Sequence, residues 1–226
     1  MARSFGEPLT RLRVVPIEDN GEPMVDPRSL SDRIHFASQH PRFDMKRMCF
    51  VRQTVGQMLA QAATALPYGI DIEIMEGLRP IFKQRMMYEK IREEFRSKRP
   101  DWNAATLNRV TNTMSAPPDD KCPPPHTTGG AVDLTLVDAG TLEWLDMISP
   151  YEPDESCAPT ILRGLTQTAS KNRALLIQSL EAVGLSNYAG EWWHWSYGDS
   201  GWALRTAATK AVYDRLAESA YPPITG

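Results

Sequence analysis

Cysteine and histidine are scarce in this sequence, long apolar runs are missing, and no block of like charge occurs. Each shortage excludes something. The three cysteines, Cys49, Cys122 and Cys157, are an odd number in a chain of 226 residues, which is too large to need a disulfide scaffold. No stretch approaches the roughly 20 apolar residues of a membrane span, and the opening Met-Ala-Arg-Ser-Phe-Gly-Glu-Pro lacks the apolar centre of a signal peptide. A cytoplasmic protein is therefore the expectation. The 25 basic and 28 acidic residues leave a formal net charge of −3 without a basic patch. Neither a nucleic acid nor an anionic membrane is an expected partner.

What is present suffices for a real core, since 42% of the residues are hydrophobic. The length fits one domain spanning residues 1–226 better than two. Residues 1–48 are polar and proline-punctuated, and are expected to wrap the domain irregularly. From Val51 the apolar positions Val51, Val55, Met58, Leu59, Ala62 and Leu66 recur at helical spacing. Gly69–Glu76 alternates, with Ile70, Ile72 and Ile74 on one face, as a half-buried strand does. Pro80 suits a first helical position, and Ile81, Tyr88, Ile91 and Phe95 would share the buried side of the helix it starts. A further helix is expected over 102–114.

Five prolines between 117 and 125 make a stiff loop that runs into His126. Ala131–Val137 reads as a second strand with Val132, Leu134 and Leu136 inward. Residues 138–168 read mostly as loop. Ser170–Val183 reads as an amphipathic helix closed by Gly184, Glu191–Ser196 as a third strand, and Trp202–Leu216 as helix. Helices and strands mix without regular βαβ alternation, which favours an α+β fold.

Two of the four histidines stand in settings that need a reason. His126 follows the proline loop and precedes Thr127-Thr128-Gly129-Gly130. Seven residues on, Asp133 interrupts an apolar strand, where a carboxylate is costly unless hydrogen-bonded, paired or bound to a cation. Backbone amides or an arginine would meet that need as well as a metal would. In Glu191-Trp192-Trp193-His194-Trp195, one acid and one imidazole sit among three tryptophans, a pattern that ordinary aromatic core also produces. Together, two imidazoles and a carboxylate make the ligand set of a catalytic zinc with an open fourth position, and a nearby glutamate is the usual general base. In a regular strand Glu191 and His194 would face opposite ways, so Glu191 belongs at the strand end or beside a bulge. Arg79, between a strand end and a helix start, is either a surface salt bridge or a fixed cation for an oxyanion. His35 and His40 read as structural or surface residues.

These segments, in order, resemble the D-alanyl-D-alanine dipeptidase family, which includes the vancomycin-resistance dipeptidase. His126-Thr-Thr-Gly129-Gly-Ala131-Val-Asp133 matches the family's HxxGxAxD, and Glu191-Trp-Trp-His194 matches its ExxH. Glu76-Gly-Leu-Arg79-Pro80 resembles its arginine segment, and Asn172-Arg173-Ala-Leu175-Leu176 resembles the helix before the last ligand. The resemblance implies a compact α+β domain with a central antiparallel sheet, flanking helices and a cleft on that sheet. It implies one zinc per chain held by His126, Asp133 and His194, with Glu191 as base and Arg79 steadying the transition state. Glu76 and Glu152 fall near positions where relatives bind a substrate's amino end. The implied reaction is hydrolysis of D-alanyl-D-alanine or a related small peptide. The alternatives are a D,D-carboxypeptidase acting on peptidoglycan stem peptides and a zinc-binding relative without turnover. Two departures stand out. Pro124 replaces the usual serine two residues before the first histidine, and Met147–Glu152 follows the family's aromatic-acidic pattern only loosely. Cys122, four residues before His126, reads as a bystander.

Overall fold

The computed structural model describes residues 7–37 and 45–222. Its elements run α1 (Leu9–Leu12), β1 (Met24–Val25), β2 (Ile34–Phe36), β3 (Val51–Arg52), α2 (Gln53–Ala65) and β4 (Ile70–Glu76). Then come α3 (Ile81–Lys98), α4 (Ala104–Thr111), β5 (Ala131–Asp138), α5 (Gln167–Glu181), β6 (Ser186–Asn187), β7 (His194–Ser196) and α6 (Ser200–Thr206). The architecture is α+β, as expected. No helix among the described residues is long and apolar enough to cross a membrane.

A five-stranded sheet in the order β2-β4-β5-β7-β6 carries the molecule. Three of its pairings are antiparallel, but β2 lies parallel to β4, so the sheet is not purely antiparallel. The expectation of an irregular wrap over 1–48 is corrected here, because Ile34–Phe36 supplies an edge strand and Met24–Val25 pairs with β3. Three residues are too few to show alternation in sequence. His40 lies outside the described residues. His35 is half-buried and meets Asp71, with Nε2 2.9 Å from Oδ2.

One face of the sheet is apolar. Ile72, Ile74, Val132, Leu134, Leu136 and Trp195 pack there with Val55, Leu59 and Ala62 of α2 and with Leu176 and Leu180 of α5. The helix expected from Val51 begins at Gln53, because Val51 is taken into β3. The last helix is also shorter than expected. It ends at Thr206, where Ala207 adopts φ +56 and its N–H caps Ala203. From there the chain runs back along the amino-terminal segment. Ala211 N–H donates to Pro16 O (2.8 Å), and Glu18 and Asn20 N–H donate to Ala211 O and Val212 O (both 3.0 Å). Leu216 N–H then donates to Thr127 O at 2.9 Å, which supports the loop after His126.

Candidate active site

The opposite face of the sheet carries the polar row. Along β4 the register moves from Ile74↔Leu134 to Glu76↔Asp133, so Met75 is an extra residue, a β-bulge. Without it, strict alternation would send Glu76 to the core face with Ile74. With it, Glu76 turns to the face of Asp133. Asp133 in turn stands opposite His194 on β7. Glu76, Asp133 and His194 thus form one row across three neighbouring strands. His126 approaches this row from a 3-10 turn at Pro125–Thr128, which closes on Gly129 at φ +73. That left-handed conformation is one glycine adopts without strain.

Three ligand-type atoms meet. His194 Nδ1 is 2.9 Å from Asp133 Oδ1, His126 Nε2 is 3.3 Å from the same oxygen, and the two ring nitrogens are 3.2 Å apart. A carbonyl cannot donate, so the contact of His126 Nδ1 with Gly77 O (2.9 Å) fixes the proton on Nδ1. With its proton on Nδ1, the neutral form of the ring has its Nε2 lone pair facing the centre. A second lone pair and a carboxylate oxygen converging on it call for extra protons or a cation. Tetrahedral sites with bonds of about 2.0–2.1 Å have edges of about 3.3 Å, close to these separations. The backbone-bonded second nitrogen of His126 is also the orientation typical of a metal-ligating histidine. The residues fit a metal ion, and the described residues contain one such group.

Burial alone would raise the Asp133 carboxyl, but the His126 and His194 rings hold it far below the usual carboxylate range. Burial opposes charge on His194, yet the bond to Asp133 and the charges of Asp133 and Glu191 raise it. Glu191 sits outside β7, in the turn ahead of it, where Glu191 N–H donates to Tyr188 O (3.0 Å) and His194 N–H to Glu191 O (3.2 Å). The strand is shorter than expected, and this satisfies the requirement that Glu191 leave the alternation. Asn187 Nδ2 steadies the same turn from Glu191 O and His194 O, both at 3.0 Å. Burial raises the Glu191 carboxyl, and its charged neighbours are His194, Asp133, His126 and Arg79.

Arg79 is only 12% exposed at its side chain, so its pair with Glu76 is not a surface ion pair. Its N–H donates to His126 O (3.0 Å), so the two residues share a backbone seam. Its guanidinium is held by both Glu76 oxygens, Nε at 3.0 Å from Oε1 and Nη2 on Oε2, while Nη1 donates to Gln84 Oε1 at 2.8 Å. Glu76, expected near a substrate's amino end, spends both oxygens on Arg79. Glu152 is exposed in the loop between β5 and α5. Cys122 is buried with its thiol pushed up to about 11 by burial, and it stands outside the metal-ligating group.

Several supports carry roles that the sequence did not single out, although Gly77 and Arg173 lie within the recognised segments. Gly77, between Glu76 and Arg79, gives its carbonyl to His126 and its N–H to Met48 O (2.7 Å). A Cβ there would lie 2.5 Å from Phe50 O. Tyr188 places its ring edge-on to His194, centroids 6.2 Å apart. Arg173 fastens the long loop before α5 through Met147 O (2.7 Å), Cys157 O (2.7 Å) and Pro159 O (2.5 Å), and stacks on Trp192 beside Glu191.

Known proteins are similar to this chain. A D-alanyl-D-alanine dipeptidase of Synechocystis sp. is 27% identical over 231 residues, covering 88% of this chain and 92% of that one. One from Enterococcus faecalis is 30% identical over 74 residues, 33% of this chain and 37% of its own. The solved structure of VanYB in complex with D-Alanine-D-Alanine is similar at 14% identity and a TM-score of 0.45, over 74% of this chain and 87% of that chain. The sequence model of the D-ala-D-ala dipeptidase family matches residues 37–214, which include the whole His126, Asp133, Glu191 and His194 constellation, and the chain belongs to that family of peptidases.

Proposed function

We propose that this protein hydrolyses D-alanyl-D-alanine or a related D-amino-acid dipeptide, with one zinc ion held by His126, Asp133 and His194. The observation that carries the reading is the convergence of those three ligand atoms within 3.3 Å of one another, with the Glu191 carboxylate close enough to feel the charges of all three. When bound, zinc lowers the pKa of water towards about 7 and polarises the scissile carbonyl.

The chain's own groups do the rest. Glu191, raised by burial, takes a proton from the attacking water and returns it to the leaving amine. Arg79 leaves one hydrogen on Nη1 and one on Nη2 outside its bonds to Gln84 and Glu76, and these serve the developing oxyanion. Glu76 aims Arg79 in this reading. The Gly77 carbonyl keeps the His126 ring in its ligating tautomer.

The test is release of free D-alanine from D-Ala-D-Ala by the zinc-loaded protein, with L-Ala-L-Ala and a pentapeptide ending in D-Ala-D-Ala alongside. Turnover of the D,D-dipeptide that is lost on chelation and restored by zinc is the expected result. Cleavage of the pentapeptide in its place moves the protein to the D,D-carboxypeptidase reading. Glu191→Gln should lower kcat by about 10²–10⁴-fold while zinc stays bound. Unchanged turnover in that variant would remove Glu191 as the base.

A further inference from the structure

Arg47 is a second guanidinium beside the metal-ligating row. The segment that carries it is sewn to the site by Gly77 N–H to Met48 O and Leu78 N–H to Phe50 O, both 2.7 Å. Its Nη1 donates to Met75 O at 2.8 Å, the carbonyl of the bulged residue. The charges that act on it are those of Glu76, Asp133, Arg79 and Glu73. Its side chain is only half-buried, so it is accessible to solvent beside that row.

What sets Arg47 apart is how little of it is used. A guanidinium has five N–H donors. Arg52 places all of them, on Thr128 O, Glu22 O, Asp19 and Asp214 O. Among the described residues Arg47 places one, its Nε is buried without a partner, and no carboxylate stands within ion-pair distance of it. Burial disfavours its charge, so a cation held in this way calls for an anion. The complement to a free guanidinium fork is a planar carboxylate, bound through two parallel N–H···O bonds. Arg79 offers no comparable set of donors, since Glu76 and Gln84 take three of its five and the two hydrogens left over sit on different nitrogens.

We propose that Arg47 binds the terminal carboxylate of the peptide substrate and so restricts cleavage to the bond next to a free carboxyl end. The choice of ligand rests on the peptidase reading above; the binding measurement below does not depend on turnover. The zinc-loaded Glu191→Gln protein is titrated calorimetrically with D-Ala-D-Ala and with its carboxyl-terminal amide, then again with Arg47→Gln or Arg47→Lys added. With Arg47 intact, the acid should bind about ten- to a hundredfold tighter than the amide. Arg47→Gln should erase that preference by weakening the acid alone, and Arg47→Lys, which keeps the charge without the fork, should fall between. Unchanged affinity for the amide reports that the fold is intact. An equal preference for the acid with and without Arg47, no preference at all, or no binding of either ligand would each overturn the assignment. Failure of the unmodified protein to release D-alanine would instead sink the hydrolase reading, and the acid-to-amide ratio would still report on Arg47.

Discussion

The two ends of β4 carry the same chemical motif to different purposes. At one end buried Asp71 is held by Arg33, Nε to Oδ1 at 2.9 Å, and at the other buried Glu76 is held by Arg79. Arg33 spends its remaining donors on the carbonyls of Thr64, Leu66, Pro67 and Ile70, so nothing is left to bind anything else. Arg79 keeps two hydrogens unspent, and they lie where Asp133 and Glu191 also exert their charge. A buried acid–arginine pair is therefore no mark of function by itself. The count of donors left over separates a clamp from a reagent.

That contrast can be broken by substitution. The largest effect should come from Arg79→Lys, which retains the positive charge beside Glu76 but loses the fork. It should lower kcat by about 10²–10³-fold with KM little moved, read from steady-state kinetics of D-alanine release. A change confined to KM would mean that Arg79 binds substrate and not the transition state. Gly77→Ala comes next. Its Cβ would press on Phe50 O and move the carbonyl that orients His126, so zinc affinity in a competitive chelator titration should fall about 10–100-fold.

The other end of the strand should behave oppositely. Arg33→Lys should lower stability by about 1–2 kcal/mol in urea unfolding while kcat/KM per folded molecule stays unchanged. If activity falls with it, the two pairs are not independent. His35→Ala, which removes only the half-buried second contact to Asp71, should cost still less, about 0.5–1 kcal/mol, again without a kinetic effect.

Much of this was legible in the sequence where physics makes a residue expensive. Asp133 in an apolar strand and His126 after a proline-stiffened turn announced themselves by cost, and the isoleucine alternation of β4 was read directly. The Met75 bulge was not, because a bulge leaves composition unchanged and shows only as a shifted register. It alters the meaning of Glu76, which strict alternation assigns to the core. The end of α6 was missed for a related reason. Ala207 turns left-handed with no glycine or proline to signal it, so the apolar positions after it looked like more helix. Arg47 carried no signal at all, since its distinction lies in bonds it does not make.

The backbone pairing of residues 16–20 with 211–212, and the bond from Leu216 to Thr127, set an order in time. The loop that presents His126 is synthesised some 90 residues before the segment that props it. A nascent chain arrested before residue 211 would hold all three candidate metal ligands and Glu191, yet lack that prop. Competence then waits on the segment 211–216, and fragments that stop short of residue 211, whether from stalled synthesis or from proteolysis, should display the whole motif and do little with it.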